Sequence, residues 1–134
     1  MYAVTMADET ARSQSFRSVR FTGTHTQVVT MTLRPGEDIG AEVHPDNDQV
    51  LIFTEGTARA EVGGETRQVS AGDLVVVPAG TEHNLVNTGS TQLRLITVYG
   101  PPDHAPDTVH ETKAQALAAE AAGEDEPPGP QAQS

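Results

Sequence analysis

From Phe16 to Tyr99 the chain runs in short apolar stretches separated by turn-forming residues. The stretch QVVTMTL (27–33) is rich in β-branched residues and stops at Arg34-Pro35-Gly36. Residues 38–44 alternate, with Ile39, Ala41 and Val43 on one face of a strand and Gly40, Glu42 and His44 on the other. Pro45 ends that run. Gln49–Phe53 and Leu74–Pro78 are apolar on both faces and read as buried strands. Thr57–Val62 and Glu65–Val69 flank Gly63-Gly64, a hairpin signal. His83–Asn87 and Gln92–Tyr99 complete the series. Roughly eight to ten short strands with turns about every 8–12 residues predict an all-β sandwich or barrel.

The two ends break this pattern. Residues 1–15 are polar and aperiodic and read as an N-terminal arm that pairs late or stays loose. After Gly100-Pro101-Pro102 a proline-spaced segment leads into 113–123, whose alanine content predicts one short C-terminal helix ended by Gly123. The remaining tail is acidic and proline-rich and reads as disordered. The expected organisation is therefore an arm (1–15), a barrel with a capping segment (16–112), and a helix with an acidic tail (113–134).

Composition narrows the chemistry. With 134 residues the chain suits one domain. Its 8 basic and 19 acidic residues give a formal charge of −11, which repels phosphate backbones and anionic lipid. Nucleic acid and membrane are thus poor partners, and the expected partner is a small molecule. There is no cysteine, so thiolate metal sites and thiol nucleophiles are excluded. Neither a leader peptide pattern nor a spanning apolar run is present, and the chain reads as soluble and cytoplasmic.

Several polar residues with metal-ligating side chains fall on strands. Glu42 and His44 share one strand face. Gln49 opens a strand whose same face carries Leu51 and Phe53, and His83 opens another whose same face carries Leu85 and Asn87. If these faces line one barrel, Glu42, His44, Gln49 and His83 converge at one level. A carboxylate and two imidazoles in an apolar pocket are costly to desolvate unless a cation joins them. Two histidines with one carboxylate suit non-haem Fe and tolerate Mn, Co, Ni or Zn, and Gln49 would add a weak neutral ligand. Taken singly, any of these residues is more often a hydrogen-bonded structural or surface side chain than a ligand; only their convergence points to a metal. Two readings also stand for His104 and His110 beyond the barrel: solvated loop histidines, or general acid/base groups on a segment folded over the mouth. Arg94 and Thr97 lie on opposite faces of the last strand, so one of them at most faces the interior. Tyr99 shares the face of Thr97. His25 reads as structural or interfacial.

Two motifs sharpen this. Gly36-x5-Glu42-x-His44-x4-Gln49-x6-Gly56 resembles the first motif of the cupin superfamily, and Gly72-x5-Pro78-x-Gly80-x2-His83-x3-Asn87 matches its second motif at every fixed position. The chain resembles in particular the small single-domain bacterial cupins described as mannose-6-phosphate-isomerase-like. The resemblance covers about residues 20–100. It implies a double-stranded β-helix, a jelly-roll barrel, with a divalent metal at its mouth. His44 and His83 match ligand positions by identity. Glu42 stands where the family usually has histidine, and Gln49 where it usually has glutamate. A metal-dependent isomerase, lyase, cyclase or dioxygenase acting on a small oxygenated molecule is the expected activity, with a non-catalytic, sugar-like ligand-binding module as the alternative. Barrels of this size often pair, so a homodimer is expected.

Overall fold

The computed structural model describes residues 1–127. Among them nine strands form two antiparallel sheets: β1 (Arg17–Thr22), β2 (Gln27–Leu33), β3 (Asp48–Glu55), β4 (Thr57–Val62), β5 (Glu65–Ser70), β6 (Leu74–Val77), β7 (His83–Asn87), β8 (Leu93–Gly100) and β9 (Val109–His110). The larger sheet runs β6-β3-β8-β2-β1-β9 and the smaller β5-β4-β7. Two helices, α1 (Met6–Ala11) and α2 (Lys113–Ala121), flank the strands. This is the double-stranded β-helix that the motifs imply, closed by a short C-terminal helix. No described helix is long and apolar enough to cross a membrane.

The alternation read from the sequence explains the core. Val29, Met31 and Leu33 on β2, Leu51 and Phe53 on β3, Ala58 and Ala60 on β4, Leu85 on β7, and Leu93 and Leu95 on β8 all turn inward and are buried. Each of three strands then places polar groups on that same inward face at one end: Gln49 on β3, His83 on β7, and Thr97 with Tyr99 on β8. Register fixes their level, since Gln49 faces Tyr99 across β3 and β8, and His83 faces Val62 across β7 and β4. At the turn into β4, Gly56 has φ +90, and a Cβ there would meet the Gln92 carbonyl at 2.6 Å. Glycine is required at that point of the first motif.

Several expectations need correction. Residues 38–44 form no regular strand. They touch β7 through isolated bridges at Asp38↔Val86 and Glu42↔His83. Of their apolar residues only Ile39 is buried, while Val43 is 49% exposed. The proline and glycines that bound this stretch leave too few ladder bonds for a full strand. Leu74–Val77 is not buried on both faces. It is an edge strand with Leu74 and Val76 exposed, because the sheet has no further neighbour for it. On β3 only the Gln49–Leu51–Phe53 face is fully buried, and Val50 and Ile52 are half-covered.

Residues 1–15 are more than an arm. α1 lies on the outer face of β2, β3 and β8, where Thr10 Oγ1 meets Thr54 Oγ1 at 2.8 Å and Glu9 meets Arg20 at 3.3 Å. This packing explains why β8 buries both faces. The tail is also partly ordered, since residues 124–127 fold back against the capping segment. The rest of the predicted disordered tail, 128–134, lies outside the described residues.

Candidate metal site

At the mouth of the barrel one ligand atom from each of Glu42, His44 and His83 lies within 4.8 Å of the others. Pro45 and the turn at 45–47 end the segment that carries Glu42 and His44, and the bridge from Glu42 to His83 (N–H···O 2.9 Å in both directions) ties it to β7. The two imidazoles stand 5.2 Å apart between ring centres.

Hydrogen bonds settle which nitrogens are free. His83 Nδ1 lies 3.1 Å from the carbonyl oxygen of Thr81, which can only accept, so Nδ1 carries the hydrogen. Nε2 is then the nitrogen left to bind a cation through its lone pair, and it is buried with no hydrogen-bond partner among the described residues. A buried acceptor left unmatched in this way is costly, and a cation satisfies it. The donor set fits a divalent ion of the Fe, Mn, Co, Ni or Zn type.

His44 sits between two acids. Its Nε2 is 3.0 Å from Glu42 Oε2 and its Nδ1 3.4 Å from Asp103 Oδ2. Burial works against a charged ring. The hydrogen bonds and charges of Asp103 and Glu42 override it and push His44 up to about 9. Burial likewise raises Asp103, but His44 holds its carboxyl below the usual range. Asp103 is placed to orient His44 from behind, as carboxylates do for metal-bound histidines.

Gln49 occupies the position between the sheets. Its Nε2 donates to Thr97 Oγ1 (2.9 Å) and Tyr99 Oη (3.2 Å), and its buried Oε1 has no partner among the described residues. Tyr99 is wholly buried and packs edge-on against both His44 and His104. Burial, its first cause, raises its phenol far above the ordinary range. Of the pair weighed on β8, Thr97 faces inward. Arg94 faces outward and binds the carbonyls of Thr10 and Ser13.

The segment after β8 covers the mouth. Asn47 donates its amide to the carbonyls of Pro101 and Pro102, and Gln27 clamps His104 with Oε1 accepting from both Asp103 N (3.0 Å) and His104 N (2.9 Å). His104 and His110 are therefore not solvated loop residues; both are buried. His104 lines the cavity. Its Nδ1 lies 2.6 Å from Asp125 Oδ2, and its Nε2, without a hydrogen-bond partner among the described residues, is 3.6 Å from Asp103. Asp125 is held below the usual carboxylate range by His104 despite burial, which acts the other way. His110 does not reach the cavity. It sits on β9 opposite Arg17, and burial lowers its pKa. His25 is exposed in the β1–β2 turn.

The resulting cavity has a volume of about 310 Å³ and is lined by Glu42, Val43, His44, Asp103, His104, Glu120, Asp125, Glu126 and Pro127. Sequence reasoning missed Asp103, Glu120 and Asp125. Asp103 was findable as the acid beside His104. Glu120 and Asp125 carried no signal, because only the docking of α2 and the following turn brings them to the mouth.

Comparison with known proteins agrees with this geometry. The Cupin domain family model matches residues 29–99. YrkC, an uncharacterized protein of Bacillus subtilis (strain 168), is 44% identical over 125 residues, covering 89% of this chain and 67% of its own. The crystal structure of BH2720 from Bacillus halodurans superposes with a TM-score of 0.86 at 43% identity, covering 88% of this chain and 94% of that one. A 76-residue region is 32% identical to the mannose-1-phosphate guanylyltransferase ManC of Salmonella typhimurium, covering 57% of this chain but only 16% of that protein.

Proposed function

Because the chain belongs to the cupin family, we propose that it is a metal-dependent enzyme acting on a small oxygenated molecule at the barrel mouth. Glu42, His44 and His83 would hold the ion, and the unpartnered Gln49 Oε1 would add a weak neutral fourth ligand. The observation that carries this reading is the buried, unpartnered Nε2 of His83 facing a carboxylate and a second imidazole. A divalent ion bound there supplies Lewis acidity to a carbonyl or enol oxygen of the substrate.

The proton chemistry falls to His104. Asp125 accepts the Nδ1 hydrogen, leaving Nε2 as the base on a side chain that lines the cavity. His104 takes a proton from the carbon beside the substrate carbonyl, and the electron pair moves toward the carbonyl oxygen. It returns the proton to the neighbouring carbon or to a leaving group, which makes isomerisation and elimination the favoured classes. His110 supports the wall behind Arg17 and handles no proton. The chain also pairs as a homodimer through the exposed β6 edge, where Leu74 and Val76 face outward.

The test is deuterium incorporation. Metal-loaded protein in D2O, offered a panel of small oxo acids and keto sugars, is expected to exchange the proton next to the carbonyl of its substrate. The His104→Gln variant is expected to bind metal and ligand but lose exchange by at least about 100-fold. Tight binding with no exchange across the panel would instead favour a ligand-binding module.

A further inference from the structure

Among the described residues, Arg17 is a buried charge of the inner barrel wall that the proposed chemistry leaves without a task. It opens β1 on the same face as the buried Val19, paired with Met31 on one side and His110 on the other. Its side chain is 3% exposed. Among the described residues neither Nε nor Nη1 has a hydrogen-bond partner. The guanidinium rests 5.5 Å from the centre of the Phe16 ring, and its Nη1 is 3.6 Å from Glu120 Oε1. That distance is too long for a hydrogen bond. Glu120 itself is 44% exposed at the end of α2, so the pair does not satisfy the buried charge.

A buried guanidinium with donors unused is a structural liability unless something fills it. Arg17 presents a planar fork of donors, the geometry that a carboxylate matches with two parallel bonds. Glu120 connects it to the site already described, because Glu120 lines the same cavity as Glu42 and His44. Burial and the charge of Glu42 both raise the Glu120 carboxyl, which marks that acid as an ill-suited permanent partner.

We propose that Arg17 anchors a carboxylate group of the substrate, and that Glu120 is a resident stand-in that leaves when the substrate binds. The substrate is then a small carboxylic acid with a second oxygen donor, such as an oxo or hydroxy acid. This rests on the metal-dependent reading for that second donor, but the anchor itself does not. A cavity of about 310 Å³ suits a molecule of a few carbons. A phosphate monoester is disfavoured, because five carboxylates line the cavity and would repel a dianion.

Calorimetric titration with pyruvate, glycolate and lactate, and with inorganic phosphate as the contrasting anion, tests the assignment. Parent, Arg17→Gln and Glu120→Gln proteins are each compared metal-loaded and metal-free, with bound metal measured in every sample. At least one of the three acids is expected to bind the parent. Glu120→Gln is expected to bind it severalfold tighter, and Arg17→Gln at least tenfold weaker, with metal content equal in all three. Arg17→Gln binding as well as the parent, Glu120→Gln binding no tighter, phosphate preferred over all three acids, or no acid binding to any form would overturn the anchor. If Arg17→Gln does not fold, the Glu120→Gln titration decides alone. Loss of metal from the parent would instead sink the metal-dependent reading, and the metal-free titrations would still read out Arg17.

Discussion

At His44 a proton and a metal ion compete for one nitrogen. In the metal-free protein Asp103 and Glu42 keep the ring protonated up to about 9. Metal binding must release that proton, so apparent affinity is expected to rise about tenfold per pH unit between roughly 7 and 9 and then level off. Competition with a chromophoric chelator across that range checks it, and a flat profile would contradict the pairing. The same shift acts on stability. A raised pKa stabilises the metal-free fold fully below the ordinary histidine value of about 6.5 and loses that contribution as pH climbs through 9. The melting temperature of the metal-free protein should therefore fall over this interval. Asp103→Asn removes the group behind His44 and is expected to weaken metal binding by about 10–100-fold without unfolding the chain. At this scale strand phase made much of the site legible. Glu42 and His44 at i and i+2, Gln49 at a strand start and His83 in an intact motif all point to one level. Asp103 and Asp125 reach the mouth through a clamp and a docked turn, and Arg17 comes beside Glu120 only through the docking of α2; no spacing rule reports such long-range packing.

Among the elements, the strands were readable because side-chain alternation is imposed by the pleat. Edge position was not, and Leu74–Val77 shows why: an apolar run reads the same whether or not a neighbouring strand covers it. α1 escaped because a six-residue helix carries little periodicity and its helical state depends on tertiary contacts. Arg94 ties the end of α1 and the residues after it to β8. It donates to the Thr10 and Ser13 carbonyls at 2.9 and 3.0 Å and to Gln14 and Gln92 at 2.8 and 2.9 Å. Arg94→Met is expected to lower stability by about 2–3 kcal/mol in denaturant titrations while leaving metal content unchanged. A loss of metal would mean that α1 supports the site as well as the outer sheet. α2 is anchored at its start, by the Lys113–Asp38 ion pair and by Thr112 accepting from Gln115 N at 3.2 Å. Its far end, carrying Glu120, is the part nearest the mouth and the part that ligand binding would move.

The molecule as a whole is an acidic barrel that concentrates five carboxylates around one opening. A cation relieves that repulsion, and so does Arg17. If the exposed β6 edge pairs two copies, sedimentation equilibrium should give a dimer, and Val76→Lys should give a monomer that keeps its metal. A monomeric parent would remove the edge from consideration without touching the site. The central claim is that Glu42, His44 and His83 bind an ion, and elemental analysis of protein purified without chelators tests it most directly. The parent is expected to carry close to one divalent metal per chain, and a folded His44→Ala, His83→Ala double variant close to none. A metal-free parent exposed to Fe, Mn, Co, Ni and Zn, or a double variant that retains its metal, would contradict it.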